Sequence, residues 1–357
     1  MVKSHRHHCV GCQKVWRKPA TPRMGPLPDL CTQGTLLAFA RTAVDFAGPF
    51  LVKRGRGHTQ EKRYVAVFTC LQSQACHLEL VTSLDTTGFK MALTRFCRRR
   101  GTPEMLLTDN GSNFVATERE LREAVAQLDH ADLTSEYAGQ GIEWKFNPPR
   151  SSHFGGVFER IVRSMKQVLQ TVLYKAGLTE EELQTVLVQA EAVINSRPLA
   201  TLSEKSEDLE PLTPLHFLVG HSRVATALEA TPEGGGGLHR RWQLLQDLMK
   251  RIWKRWLREI VARANLETKC DRDSASVTVG KILMMLDESL PRTQWPLGRV
   301  VATYPGKDGK VRVVDVKVKG KVYKRSVHRL VPLDVELSAV KVTLPASAEV
   351  PLSDLNE

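Results

Sequence analysis

The apolar residues change rhythm several times along this chain, and each change predicts an element. From Thr35 the segments "TLLAFARTAVDF", "KRYVAVFTCL" and "ACHLELVTS" are short, rich in Val, Leu and aromatics, and separated by glycine or polar turns. That pattern predicts three consecutive strands in an antiparallel meander. "LDTTGFKMALTRFCRRRG" then moves to helical spacing, with Phe89, Leu93 and Phe96 on one side, Asp85 or Thr86 as cap and Gly101 as stop. "EMLLTDNG" predicts a buried strand running into a turn, a polar stretch at roughly 117 to 129 predicts a helix, and "GIEWKFNPP" predicts a further strand.

In "NPPRSSHFGGVFERIVRSMKQ" a stiff extended segment passes into a helix with Phe158, Val162, Met165, Leu169 and Val172 on one stripe, and Gly177 ends it. The next helix starts at Thr179 with Glu182 three residues on, a capping-box spacing, and stops at Pro198. "SEKSEDLEPLTP" is an acidic loop, and "TPEGGGG" at 231–237 is a flexible linker. A long helix follows, with Trp242, Leu245, Met249, Ile252, Trp256 and Ile260 as its apolar stripe. Between 277 and 333 short strands alternate with the turns "YPGKDGK" and "KVKGKV", a pattern that predicts a small all-β barrel. The expected layout is a head and linker at 1–30, a core at 31–225, a Gly-rich linker and long basic helix at 226–275, the barrel at 276–335 and a flexible tail at 336–357.

Composition narrows the function. With 42% hydrophobic and 25% charged residues over 357 positions, the chain is neither disordered nor fibrous and has length for more than one core. Its 51 Lys and Arg against 39 Asp and Glu leave +12, which suits a polyanionic partner, although basic proteins also carry such charge simply for solubility. Apart from Cys9 and Cys12, the cysteines at 31, 70, 76, 97 and 270 follow no framework spacing, which points to a reducing compartment. No secretory leader or long apolar run is visible, so the expectation is an intracellular protein with no membrane partner.

The candidate chemistry lies in three acids. Asp45 follows the apolar run "TAV" at a strand end, Asp109 stands in "LLTDNG" at another, and Glu159 opens a helix after two glycines. Each has an ordinary alternative: a strand-end cap for Asp45, turn chemistry for Asp109, and a helix-dipole complement for Glu159. Taken together, acids at the ends of separate elements are the hard oxygen ligands that divalent ions need. Arg163 and Lys166 follow Glu159 at i+4 and i+7, so the three share one helix face, as a salt-bridge row or as cations for phosphate. Arg251, Lys254, Arg255 and Arg258 form a basic face on the long helix. Arg95, Arg98, Arg99 and Arg100 suit a helix C-terminus as well as they suit phosphate. Lys317, Lys319, Lys321 and Lys324 fit DNA binding or protection of a strand edge.

"TAVDFAGPF", "KRYVAVFTCLQSQACHLELV", "SLDTTGFKMALTRFCRRRGTPEMLLTDNGSNF", "IEWKFNPPRSSHFGGVFERIVRSMK" and "EAVINSRPL", in this order, resemble the integrase of LTR retrotransposons of the Pao/BEL group. The C-terminal "DESLPRTQWPLGRVVATYPGKDGKVRVVDVKVKGKVYKRSVHRLVPL" is similar to the small domain that follows the core in that group. The resemblance implies an α/β fold with an RNase H-like core, a mixed five-stranded sheet flanked by helices, ahead of the long helix and barrel. It implies that Asp45, Asp109 and Glu159 hold two Mg²⁺ or Mn²⁺ ions and catalyse 3′-end processing and strand transfer of element DNA. It further implies that Asn147, with Pro148 and Pro149, fixes the loop before the helix of Glu159 and that Asn147 joins Arg163, Lys166 and the long-helix cations in a DNA-binding set. Two coordinated DNA ends imply a homo-oligomer, and the substrate implies the nucleus.

"GCQKVWRKPATPRMGPLP" resembles the end of the family's zinc-binding head, which makes Cys9 and Cys12 candidate Zn²⁺ ligands. Only eight residues precede Cys9, so the family's helical histidine pair has no room, and His5, His7 and His8 stand in its place at unsuitable spacing. The second expectation is therefore a truncated or host-retained DNA-binding protein that keeps the fold without the catalysis.

Overall fold

β1 (Arg41–Lys53) alternates half-buried and buried positions along its first half, the signature of a strand with apolar layers on both sides. It is the centre of a mixed five-stranded sheet in the order β3-β2-β1-β4-β5, with β2 at Gln60–Cys70, β3 at Cys76–Val81, β4 at Met105–Thr108 and β5 at Glu143–Phe146. β1, β2 and β3 pair antiparallel, as the meander requires, and β4 and β5 add in parallel beyond β1. The computed structural model describes residues 37–54, 59–108, 138, 141–146, 158–174, 176–201, 209–222, 237–270, 277–286, 295–306 and 311–333. Asp109, Asn147, Cys9, Cys12, the expected helix near 117–129 and the tail lie outside these residues, as does the side chain of Glu159.

Helices cover both faces of the sheet. On one side α1 (Thr86–Arg100) begins where the Asp85 carboxylate accepts the Gly88 N–H at 2.6 Å, and it ends at Gly101, whose φ of 93° few other residues adopt readily. Its Phe96 stacks on Phe68 of β2 with ring centroids 4.2 Å apart, inside an apolar layer with Phe89, Leu93 and Leu106. On the other side lie α2 (Phe158–Leu173) and α3 (Glu180–Asn195). The capping box at Thr179 and Glu182 is present as the spacing predicts. The α2 stripe is confirmed at the buried Met165 and Leu169 and the partly buried Val172, and it also takes in Val168 and Leu173. A two-stranded pair, β6 (Ala200–Thr201) with β7 (Pro211–Leu212), leads to α4 (Pro214–Val219).

The long helix α5 spans Gly237–Cys270. Leu245, Met249, Ile252 and Trp256 are buried as expected, and Leu248, Trp253 and Leu257 widen the stripe. The width has a cause: α5 packs against α2 and α3 and also against the C-terminal strands. Those strands, β8 (Ile282–Met285), β9 (Leu297–Pro305), β10 (Val311–Val318), β11 (Lys321–Ser326) and β12 (Leu330–Pro332), form one antiparallel sheet in the order β11-β10-β9-β8-β12. A helical turn at Val327–Arg329 joins the last two.

"ILMM" in β8 is apolar throughout because both faces are covered. Leu283 and Met285 pack inward with Val300, Val314 and Val316, while Met284 joins Leu297 and Val331 in the cluster around α5. Gly298 makes this packing feasible, since a Cβ there would lie 2.3 Å from Val316 Cγ1 and 2.7 Å from Val318 Cγ2.

Candidate functional site

Asp45 sits midway along β1, opposite Val67 of β2. Its flanking residues Val44 and Phe46 pack into the layer under α1, so alternation turns Asp45 to the α2 side with Ala47. One carboxylate oxygen, Oδ1, accepts the Phe46 N–H at 2.8 Å. The other, Oδ2, holds the ammonium of Lys166 from α2. The Asp45 side chain is 43% exposed and that of Lys166 only 10%. The lysine is therefore the covered partner of the pair, and its charge meets a carboxylate that is itself open to water.

Glu159, Arg163 and Lys166 are spaced for one helix face, yet Arg163 is exposed while Lys166 is buried at 8%. Helical periodicity specifies which residues share a side, but only the sheet beneath decides how far along that side the cover extends.

β4 lies beside β1 in parallel register, with Val44 opposite Thr108. Asp45 and Asp109 are the next residues in sequence after this matched pair. Thr108 is fixed from the far side, where Trp144 of β5 donates its indole N–H to the Thr108 hydroxyl at 3.1 Å. Among the described residues no group of three or more His, Cys, Asp or Glu side chains is arranged for a metal, and Asp109 and the Glu159 side chain stand outside that search.

A second charged constellation lies on β3 and escaped the reading by motif. His77 and Glu79, both almost fully buried, project toward α1. Glu79 accepts from Arg95 Nε at 2.7 Å and Arg99 at 2.8 Å, and lies 3.0 Å from His77 Nε2. Glu191 of α3 accepts from Arg100 at 2.5 Å and from the Leu78 backbone N–H at 2.9 Å. Asn195 completes the seam, accepting from Cys76 N–H at 2.8 Å and donating to Cys76 C=O at 2.7 Å. β3 is the sheet's edge, and these side chains take up its outward backbone groups. Burial favours neutral His77, but the Glu191 and Glu79 carboxylates outweigh it and hold its pKa above the ordinary value. Burial would raise the Glu79 pKa, and its bonds to His77 and Arg95 bring it below the ordinary value. The signal in the sequence was "CHLELV", where polar residues alternate into a buried strand, followed by the arginine-rich end of α1. Of the α1 arginines, Arg95, Arg99 and Arg100 therefore serve this network.

On α5, Arg251, Lys254 and Arg258 are exposed and Arg255 is half-buried, opposite the apolar stripe. On the C-terminal sheet, Lys324 of β11 lies over the Tyr304 ring at 4.2 Å, and the Tyr304 hydroxyl bonds Asp315 at 2.6 Å. Register puts Arg299 opposite Lys317 on neighbouring strands. Among the described residues no helix is long and apolar enough to cross a membrane.

Residues 240–333 match a family of unknown function, DUF5641, a stretch that runs from within α5 to the end of β12. No curated protein matches the chain. Among solved structures, a chain of the simian T-cell lymphotropic virus intasome in complex with PP2A regulatory subunit B56 gamma is similar at 13% identity and a TM-score of 0.34, covering 93% of this chain and 89% of that one.

Proposed function

We propose that this chain is an integrase of the Pao/BEL retrotransposon type, with an RNase H-like core that trims and joins DNA 3′ ends in the nucleus. The observation that carries the reading is the β1–β4 register: Val44 faces Thr108, and each is followed in sequence by an aspartate. The motif order along the chain and the mixed sheet flanked by helices support it.

Asp45, Asp109 and Glu159 are the residues that would hold two Mg²⁺ or Mn²⁺ ions. Asp45 suits this role chemically, because its half-exposed carboxylate is oriented by the Phe46 N–H and already binds a cation, the Lys166 ammonium. When bound, such ions activate a hydroxyl nucleophile and stabilise the leaving oxygen at phosphorus. The protein's own part is to orient the carboxylates on β1, β4 and α2 and to hold the DNA. No Ser, Cys or Tyr nucleophile is required, since the attacking groups are water and a DNA 3′-hydroxyl.

DNA is held through phosphates, for which Arg163, the exposed α5 cations Arg251, Lys254 and Arg258, and Arg255 beside them are the proposed contacts. Asn147 and Lys166 belong to the same proposed set, Lys166 only after its bond to Asp45 opens. The enzyme acts as a homo-oligomer that brings two DNA ends together. Cys9 and Cys12 are proposed zinc ligands.

The test is strand transfer by purified protein on short duplexes carrying candidate terminal repeats with Mg²⁺, beside Asp45→Asn and Asp109→Asn. Products that fall to background in both variants, with salt-sensitive DNA binding retained, are expected. DNA binding without products in any of the three proteins would replace the enzyme with a DNA-binding relic of the same fold.

A further inference from the structure

We propose that Lys166 is a resident counter-cation that occupies the carboxylate of Asp45 in the absence of metal and must release it before a divalent ion binds. The inference rests on the metal-binding role given to Asp45 above, and adds to it a built-in competitor.

The argument starts from burial. An ammonium at 10% side-chain exposure is costly unless it is paired, and the Asp45 carboxylate is an ion-pair partner of it in the structure. Asp45 turns Oδ1 to the Phe46 N–H and Oδ2 to Lys166, so the oxygen without a backbone bond is the one the lysine holds. A divalent ion approaching Oδ2 meets a fixed positive charge in direct contact with its ligand. That repulsion is only partly screened, because the Lys166 side chain is largely shielded from water while that of Asp45 is open to it.

Two consequences separate this arrangement from an ordinary structural ion pair. First, metal and lysine exclude each other, so removing the lysine's charge strengthens metal binding. A purely structural pair predicts the reverse, since its loss would loosen the carboxylate. Second, metal binding drives the ammonium out of its cover. Lys166 lies on the same helix as Glu159, seven residues on, so its displacement would be felt on the element that carries another proposed ligand.

The experiment measures Mn²⁺ binding to the full chain by calorimetry, without DNA, for the wild type, Lys166→Met, Lys166→Gln and Asp45→Asn. Thermal melts identify which lysine variant is folded. Lys166→Met or Lys166→Gln is expected to bind Mn²⁺ about three- to tenfold more tightly than the wild type. Acetylation footprinting on the wild type needs no variant: Lys166 is expected to be protected without metal and to react when Mn²⁺ saturates the protein.

Unchanged or weaker Mn²⁺ binding in the folded lysine variants, or a footprint that Mn²⁺ leaves untouched, overturns the counter-cation. If Asp45→Asn loses Mn²⁺ binding in that experiment, the metal role of Asp45 survives the failure. Asp45→Asn binding Mn²⁺ as the wild type does would instead overturn the metal site itself.

Discussion

His77 and Glu79 are a histidine and a carboxylate buried together on an edge strand, and their shifts run in opposite directions. The His77 pKa is raised above its ordinary 6.5, so its contribution is complete below that value and is lost as pH rises through the folded pKa. The Glu79 pKa is lowered below its ordinary 4.5, so its contribution is complete above that value and is lost as pH falls through the folded pKa. The network therefore stabilises most between these two ordinary values, 4.5 and 6.5. The melting temperature is expected to fall as pH rises above 6.5, and His77→Asn to flatten that slope. Scanning calorimetry of both proteins across the range checks it. Glu79→Ala should lose about 2–3 kcal/mol in urea unfolding at pH 6, less than for a fully buried pair because Arg95 and Arg99 reach solvent.

Among elements, β3 is the edge strand of the sheet, and α3 closes that edge. A single side chain, Asn195, serves both the N–H and the C=O of Cys76. Asn195→Ala leaves these two groups without their partner, at a cost of about 2 kcal/mol, and presents an edge that another chain can extend. The expected outcome is a lower urea midpoint together with light scattering that grows with protein concentration. An unchanged midpoint would mean that water replaces the amide without loss.

For the whole molecule, the core sheet, α5 and the C-terminal sheet share one apolar cluster. Trp295 is its keystone on the C-terminal side, packed edge-on against Trp253 at 4.8 Å and donating its indole N–H to Ser196 Oγ at 3.1 Å. Trp295→Ala should cost about 3–5 kcal/mol. Hydrogen exchange is expected to show faster exchange in β8 and β12, while β1 and β2 keep their protection. Protection lost equally everywhere would instead mean that the cluster unfolds as one cooperative unit.

The sequence alone determined the elements whose cause is local. Periodicity fixed the three-strand meander and the stripes of α1, α2 and α5, while caps and stops at Asp85, Gly101, Thr179 and Glu182 follow from hydrogen bonds between residues near in the chain. Of the candidate acids, the motif around Asp45 was legible, but the reading put it at a strand end, whereas β1 runs on to Lys53 and makes it an interior residue of the sheet's central strand. What the tertiary structure decided are the partners distant in sequence. Lys166 belongs to Asp45 because α2 crosses β1, 121 residues separating the pair in the chain. Glu191 and Asn195 belong to β3 because α3 closes the sheet's edge, and Trp295 belongs to Ser196 because α5 is buried on two sides. Helical and strand periods record which side a residue takes. They carry no record of what the rest of the chain brings against it, and that juxtaposition turns a lysine on a charged face into the buried counter-ion of an aspartate.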